Sequence, residues 1–407
     1  MALFRGKPTV TFDIGGSLAK LLVFEPNNHE QAAFITSRLP PGDAEFESAH
    51  FDGKFRLYKF SSASLDECLM FVKKYELNSL ITNVTATGGG AFRYSQLIED
   101  QMGVAINQRE EMTTLVLGLN FVLNEVPNSC FVINHKLHEI IPLKTFLPPS
   151  HIYPYLLVSF GSGVSFLLVE GFDRFSRVSG TCLGGATFLA LAKLLTGETD
   201  FDRIIELTTA GDYRNCDLLI RDIYGGAAEG LNIDPDLPAA SFGSLFRKEH
   251  TKNDILRSLM FMVCINVAHL ASHAATSVGA KDIVFCGHFL GKEKSHTVMK
   301  ETLSFGIDFY SGSEQRAVFI RHHGFLGALG AFVQHHPSHT ELLYDLHQAF
   351  VRRTTPNPTE GSLVSSISSE SIHSEDDGVI NTMPEISPFG SAEIMRPVSL
   401  SPPAHLQ

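Results

Sequence analysis

Thr9-Val10-Thr11-Phe12-Asp13-Ile14-Gly15-Gly16-Ser17-Leu18-Ala19-Lys20-Leu21-Leu22-Val23-Phe24 is a β-branched and aromatic run that halts at two glycines, bends at a serine and resumes as a second apolar run. Glycine turns without steric cost, so this pattern predicts a tight hairpin whose backbone N–H groups can approach an anion. The pattern recurs farther along the chain in Leu156-Leu157-Val158-Ser159-Phe160-Gly161-Ser162-Gly163-Val164-Ser165-Phe166-Leu167-Leu168-Val169. One such hairpin says little. Two predict a pair of lobes whose turns face each other across the phosphates of one nucleotide, with Asp13 entering the first turn as a ligand to metal-bound water.

A Walker-type loop, in which Gly-Lys-Ser/Thr follows a glycine four residues earlier, does not occur, which argues against a P-loop enzyme. The paired hairpins instead resemble the actin, Hsp70 and sugar-kinase superfamily. That resemblance implies an α/β, two-lobed, ribonuclease H-like fold. The chain has 407 residues, 44% of them hydrophobic, which is ample for two cores. We expect a phosphate-binding lobe over residues 1–130 and a second lobe over 131–337 with the other phosphate turn. A terminal helix is expected over 338–353, and a disordered Ser/Pro-rich acidic tail over 354–407, where too little apolar surface exists to offset ordering entropy.

Within the first lobe, a polar excursion is expected over Pro26–Asp52, a strand near Phe55–Phe60, and a helix from Ser64 to Glu76 whose Ser64 and Glu67 match a capping box. A helical stretch follows through Arg109–Leu123. In the second lobe, Phe175–Ser179 reads as a strand, and the turn ending at Gly184-Gly185 opens a helix whose first N–H groups are placed to face an anion. Helical spacing over Ile255–Val278, a strand at Asp282–Cys286, and an ordered piece at Ala317–Val333 complete it. In that last piece Gly324, Gly327 and Gly330 leave one helix face bare for close packing.

The formal charge of −12, from 32 basic and 44 acidic residues, makes nucleic acid a poor partner. No apolar signal core precedes the first strand and no apolar run reads as membrane-spanning, so a cytoplasmic protein with no membrane partner is expected. Six cysteines are scattered singly, as buried reduced thiols are, and the doublets His322-His323 and His335-His336 lack carboxylates at metal-ligand spacing. No protein-held metal is expected.

Glu110 and Glu111 open the Arg109–Leu123 helix, where either carboxylate complements the helix dipole. A carboxylate fixed there also suits deprotonation of an attacking alcohol. Arg177 ends a strand, where a guanidinium can clamp a carboxylate, amide or phosphate, or simply face solvent. Ser162 and Ser165 are turn formers that also offer hydroxyl donors. The triple glycine Gly88-Gly89-Gly90 is a plain loop or a point of close ligand approach.

Taken in order, Asp13-Ile14-Gly15-Gly16-Ser17 with Lys20, Thr87-Gly88-Gly89-Gly90, Glu111 with Leu115 and Gly118-Leu119, Gly161-Ser162-Gly163-Val164-Ser165, Arg177-Val178-Ser179-Gly180-Thr181-Cys182-Leu183-Gly184-Gly185, Asp222-Ile223-Tyr224-Gly225-Gly226 and Gly287-His288-Phe289-Leu290 resemble the eukaryotic-type pantothenate kinases over residues 8–333. The resemblance implies phosphorylation of pantothenate by Mg-ATP at the first step of coenzyme A synthesis, inhibition by acetyl-CoA or other acyl-CoA, and a homodimer or a heteromer with a paralogue. It makes Glu111, not Glu110, the general base. Ser162, Ser165 and Arg177 would line the pantothenate and acyl-CoA site. Asp13, Gly15, Gly16, Ser17, Lys20, Gly88, Gly89, Gly161, Gly163 and Gly287 would hold ATP, with Mg²⁺ carried by the nucleotide and no tightly bound metal or organic cofactor. Ser17 stands where the family usually has Thr, His288 where it has Asn, and Tyr310 near a usual Trp. Residues Ala227–Ala240 match poorly, and they and Phe305–Tyr310 would wall the pantetheine channel. These departures leave room for a catalytically weak or inactive regulatory subunit that binds ATP and acyl-CoA; a different kinase of the superfamily would not explain the Arg177–Phe188 stretch.

Overall fold

The computed structural model describes residues 7–48, 51–61, 65–126, 128–143, 153–171, 173–225, 233–291 and 297–335, all within the compact unit Met1–Pro356. The expected terminal helix at 338–353, the tail at 354–407 and the capping serine Ser64 lie outside the described residues.

The first half of the chain runs β1 (Thr9–Ile14), β2 (Leu18–Pro26), α1 (Glu30–Thr36), β3 (Ala44–Ser48), β4 (Gly53–Ser61), α2 (Leu65–Lys74), β5 (Asn83–Thr87), α3 (Gly89–Arg93), α4 (Ser95–Met102), β6 (Ala105–Arg109) and α5 (Glu111–Glu125). Its strands form a six-stranded sheet in the order β3-β4-β2-β1-β5-β6. The second half runs β7 (Cys130–Asn134), β8 (Glu139–Leu143), β9 (Tyr155–Phe160), β10 (Val164–Val169), β11 (Phe175–Thr181), α6 (Gly185–Thr196), α7 (Phe201–Thr209), β12 (Leu218–Leu219), α8 (Ile220–Tyr224), β13 (Pro238–Ala240), α9 (Lys252–Ser277), β14 (Asp282–Cys286), α10 (Thr297–Ser311), β15 (Arg316–Ile320) and α11 (Leu326–His335). It forms a seven-stranded sheet, β11-β10-β9-β14-β15-β7-β8.

The two sheets repeat one plan. In each, a meander of three antiparallel strands (β1, β2, β4 and β9, β10, β11) is extended from its first strand by two parallel ones (β5, β6 and β14, β15). That is the ribonuclease H-like layout, and two copies in one chain are the architecture expected from the paired hairpins.

Three sequence expectations need correction. The Pro26–Asp52 excursion contains α1, capped by the His29 ring on the Ala32 N–H, and β3, whose Phe46 ring stacks on Phe55 at 4.9 Å. Both elements are too short to show periodicity. The Ala317–Val333 piece is not one helix, because residues 316–320 are the buried strand β15 and only Leu326–His335 is helical. A short run buried on every side reads the same way for strand and helix. Finally, α9 is long and apolar enough to cross a membrane by length and composition, with a mean hydropathy of 1.6 in its most apolar window. It is nonetheless a core helix, with Leu256, Leu259, Val263, Val267 and Ala271 fully buried among α6, α7, α10 and the second sheet.

Helices α2 and α4 cover the outer face of the first sheet, and α6, α7, α9 and α10 the outer face of the second. Between the two sheets lie α5 and α11, in a shared core with Phe24, Phe55 and Leu57 from one sheet and Leu157, Val284 and Val318 from the other. Phe121 of α5 and Phe332 of α11 sit within ring contact of Phe51 and Phe55. The two helices cross with backbone against backbone. A Cβ on Gly118 would overlap the Leu326 carbonyl oxygen, and one on Gly330 the Thr114 carbonyl oxygen. Close packing here requires glycine on both helices. Gly118→Ala or Gly330→Ala is therefore expected to cost about 3 kcal/mol or more, while Gly171→Ala, in an open turn, costs under about 0.5 kcal/mol. Thermal unfolding checks this, and equal midpoints for the three variants would contradict the crossing.

Candidate active site

The β1–β2 hairpin closes with the Gly15 N–H donating to the Leu18 carbonyl at 2.9 Å, and its register sets Asp13 opposite Lys20. Lys20 Nζ donates to Asp13 Oδ2 at 2.8 Å, so a mostly buried carboxylate is neutralised by the adjacent strand. The second turn closes with Gly161 N–H on the Gly163 carbonyl at 3.0 Å. Across the gap the two turns touch, Ser17 Oγ lying 3.0 Å from Ser162 Oγ. The facing turns expected from the sequence are thus brought together at one place.

They form one wall of a cleft of about 730 Å³. Of the residues expected to act, Asp13, Gly15, Gly16, Ser17, Lys20, Glu111, Gly161, Ser162, Gly163, Ser165, Arg177 and Gly287 all line it. Gly88 and Gly89 do not: the first is buried and the second exposed outside it. Gly88, with φ of 86°, passes so close to Asp13 that a Cβ there would lie 3.1 Å from Oδ1. The Gly89 N–H lies near the Glu111 carboxylate and has a minor lowering influence on it.

The two neighbouring glutamates have separated roles. Glu110 is the N-cap of α5, accepting from Met112 N at 2.9 Å, Thr113 N at 2.6 Å and Thr113 Oγ1 at 2.7 Å. Burial alone would raise its carboxyl, but these donors outweigh burial and hold it below the ordinary carboxylate value. Glu111 is turned into the cleft. Its outer surface is open to water, yet protein on both sides desolvates it. That burial, with the charge of Asp13, raises its carboxyl above the ordinary value against the opposing charge of Lys20. A carboxylate of raised basicity is what proton abstraction requires.

On the opposite wall, a β-bulge shifts the register so that Phe166 pairs with Ser179 but Leu167 with Arg177. The extra residue turns Arg177 toward the cleft, and its guanidinium folds so near Gly180 that a Cβ there would lie 2.7 Å from it. Ser165 is the register partner of Gly180. A bulge has no signal in the sequence. One expectation fails here: the first N–H groups of α6 do not face an open anion site, because Gly185 N–H is used by the Gly161 carbonyl at 2.9 Å and Ala186 N–H by the Ser162 carbonyl at 3.1 Å. They brace the second turn instead.

Several lining residues were given no part in the site by the sequence, among them Ser159, Phe201 and His323, while Gly324 and Gly327, expected on a bare close-packing face, also line it. Gly327 is needed because a Cβ would lie 2.7 Å from the Asp13 carboxylate. His323 is a core histidine whose Nδ1 lies 2.8 Å from the Gly287 carbonyl, while Gly287 N–H returns a bond to the His323 carbonyl at 3.2 Å. Gly287 itself has φ of 110° and runs against Phe160, so the pair fixes a strained turn. Burial first, and the nearby Lys300 charge second, lower the imidazole to about 3. A neutral ring facing a carbonyl must carry its proton on Nδ1. Tyr310 does not line the cleft; it stacks on His269 at 4.2 Å. Five of the six free cysteines are buried as expected, and Cys182 is exposed at the cleft. Among the described residues no group of His, Cys, Asp and Glu has the geometry to hold a metal.

Two lobes of one plan, with facing glycine turns and a basic carboxylate between them, define a class of phosphoryl-transfer proteins. The chain belongs to the Fumble family, whose model matches residues 9–334. It is 35% identical over 357 residues to pantothenate kinase 1 of Arabidopsis thaliana, covering 82% of this chain and 87% of that protein. It is 32% identical over 351 residues to the pantothenate kinase of Schizosaccharomyces pombe, covering 82% and 84%. It is also 34% identical over 333 residues to the mouse 4'-phosphopantetheine phosphatase, covering 79% of this chain but spanning only 40% of that protein.

Because His323 is held neutral, its imidazole signals should not titrate between about pH 5 and 8 in an NMR series. A midpoint above about 6 would contradict the burial and the bond to Gly287.

Proposed function

We propose that the cleft phosphorylates pantothenate with ATP, giving 4'-phosphopantothenate and ADP. The observation that carries this reading is Glu111, raised in basicity, in the same cleft as the touching Ser17 and Ser162 turns and Arg177. The names of the two pantothenate kinases similar over most of both chains support the choice of alcohol.

The two glycine turns offer backbone N–H groups and serine hydroxyls to the phosphates, and Lys20, paired with Asp13, stands beside them. Asp13 is the cleft carboxylate that would face a magnesium ion carried by the nucleotide, which would supply charge neutralisation at its phosphates. Arg177 and Ser165, on the opposite wall, suit the carboxylate and amide of pantothenate. The hydroxyl oxygen attacks the γ-phosphorus in line as the bond to the β,γ-bridging oxygen breaks. Its proton passes to Glu111 and ADP leaves. Acyl-CoA as an inhibitor at the pantothenate subsite and a homodimer are proposed on the resemblance to the family alone.

The test is an assay of the purified protein with pantothenate and Mg-ATP. The wild type should form 4'-phosphopantothenate, Glu111→Gln should lose about 10²-fold or more in kcat, and Glu110→Gln should stay within severalfold. Since the base must be ionised, kcat/KM should fall on acidification through a midpoint above the ordinary carboxylate value, where the raised Glu111 carboxyl takes up its proton. An equally active Glu111→Gln enzyme, or an acid limb below that value, would remove Glu111 from the mechanism.

A further inference from the structure

Glu111 meets the end of one strand at two points. Its carboxylate lies near the Gly89 N–H, just past β5. Its main-chain carbonyl accepts from Thr114 Oγ1 at 2.8 Å, and Thr114 Oγ1 lies 2.9 Å from Oγ1 of Thr87, the last residue of β5. Thr87 Oγ1 also lies 3.1 Å from the Arg109 carbonyl. Both threonines are fully buried.

A threonine bonding back to the preceding turn of its own helix is common and by itself explains nothing. Here the bookkeeping of protons goes further. The two hydroxyls have two protons for three contacts, and both carbonyls can only accept. Thr114 donates to the Glu111 carbonyl, and the single Thr87 proton serves either Thr114 Oγ1 or the Arg109 carbonyl, so this relay links the end of β5 to the residues on either side of the capping Glu110. It ties the first turn of α5, which carries Glu111, to that strand end. Gly330 presses the Thr114 backbone from the other side, so Thr114 cannot drift.

We propose that Thr114 and Thr87 are positioning residues for the base, fixing the Glu111 carboxylate on the cleft wall through this buried hydroxyl pair. The inference rests on the reading of Glu111 as the base. General-base catalysis tolerates displacements of only about 0.5 Å, and a misplacement of about 1 Å costs on the order of 10²-fold. Binding of the nucleotide and of pantothenate does not depend on the relay, since neither threonine lines the cleft.

The test compares Thr114→Val, Thr114→Ser and Thr87→Val in the full chain. Thr114→Val keeps the shape and removes the hydroxyl. It should lower kcat about tenfold or more, with KM for ATP and pantothenate within about twofold. Thr114→Ser should restore most of the loss, and Thr87→Val should reproduce it if Thr114→Val does not fold. A second readout needs no turnover: in protein labelled at the glutamate carboxyl carbons, the Glu111 titration should move down toward the ordinary value in Thr114→Val and return in Thr114→Ser. Unchanged kcat and titration, or a loss that serine does not restore, would overturn the proposal. A wild type that leaves pantothenate unphosphorylated would sink the functional reading, while the titration would still decide the positioning.

Discussion

The close crossing of α5 and α11 is the contact on which the rest depends. Gly118 and Gly330 let each helix lie against the other's carbonyls, which no side chain would permit. Once the helices are that close, α11 reaches β1, where Thr11 Oγ1 donates to the Ala328 carbonyl at 2.8 Å, and Gly327 comes against the Asp13 carboxylate. The phenylalanines around the crossing then close a core shared by both sheets. Glycine in a helix interior costs about 1 kcal/mol relative to alanine. The cost is offset because the same contact joins the lobes, sets Asp13 and presses Thr114 into place behind the base.

From that frame the chemistry follows by contrast between neighbours. Glu110 and Glu111 are the same residue type, one position apart, and their carboxyls move in opposite directions because one accepts from the helix start and the other is flanked by protein in the cleft near Asp13. The helix needs a cap and the reaction needs a base, and one rotation along α5 separates them. The serines of the two turns, in contact across the cleft, set the distance over which phosphates would be held.

Much of this was legible in the residues. The hairpins at Thr9–Phe24 and Leu156–Val169 announced both lobes, and the ordered motifs from Asp13 to Leu290 led to the family and to most of the cleft lining. What stayed hidden depends on distance in space. No local pattern places Val178 in a bulge that re-aims Arg177, spends the Gly185 and Ala186 N–H groups on the second turn, or puts His323 under Gly287. Gly88 and Gly89 looked like ligand contacts because glycine permits close approach, but what Gly88 approaches is the Ile14 backbone and the Asp13 carboxylate, and Gly89 has open space beside it. Gly327 and Gly330 were read correctly as a bare helix face, but Gly324 lies in the turn before that helix, and the helix was drawn too long because the strand before it is as apolar as the helix itself.

The central claim is that Glu111, fixed between two lobes, takes the proton of the attacking alcohol. A crystal structure with pantothenate and a non-hydrolysable ATP analogue tests it most directly. The account predicts a Glu111 carboxylate oxygen within about 3.2 Å of the primary hydroxyl of pantothenate, with that hydroxyl facing the γ-phosphate. A hydroxyl beyond about 5 Å from Glu111, or bonded instead to Glu110, would contradict it.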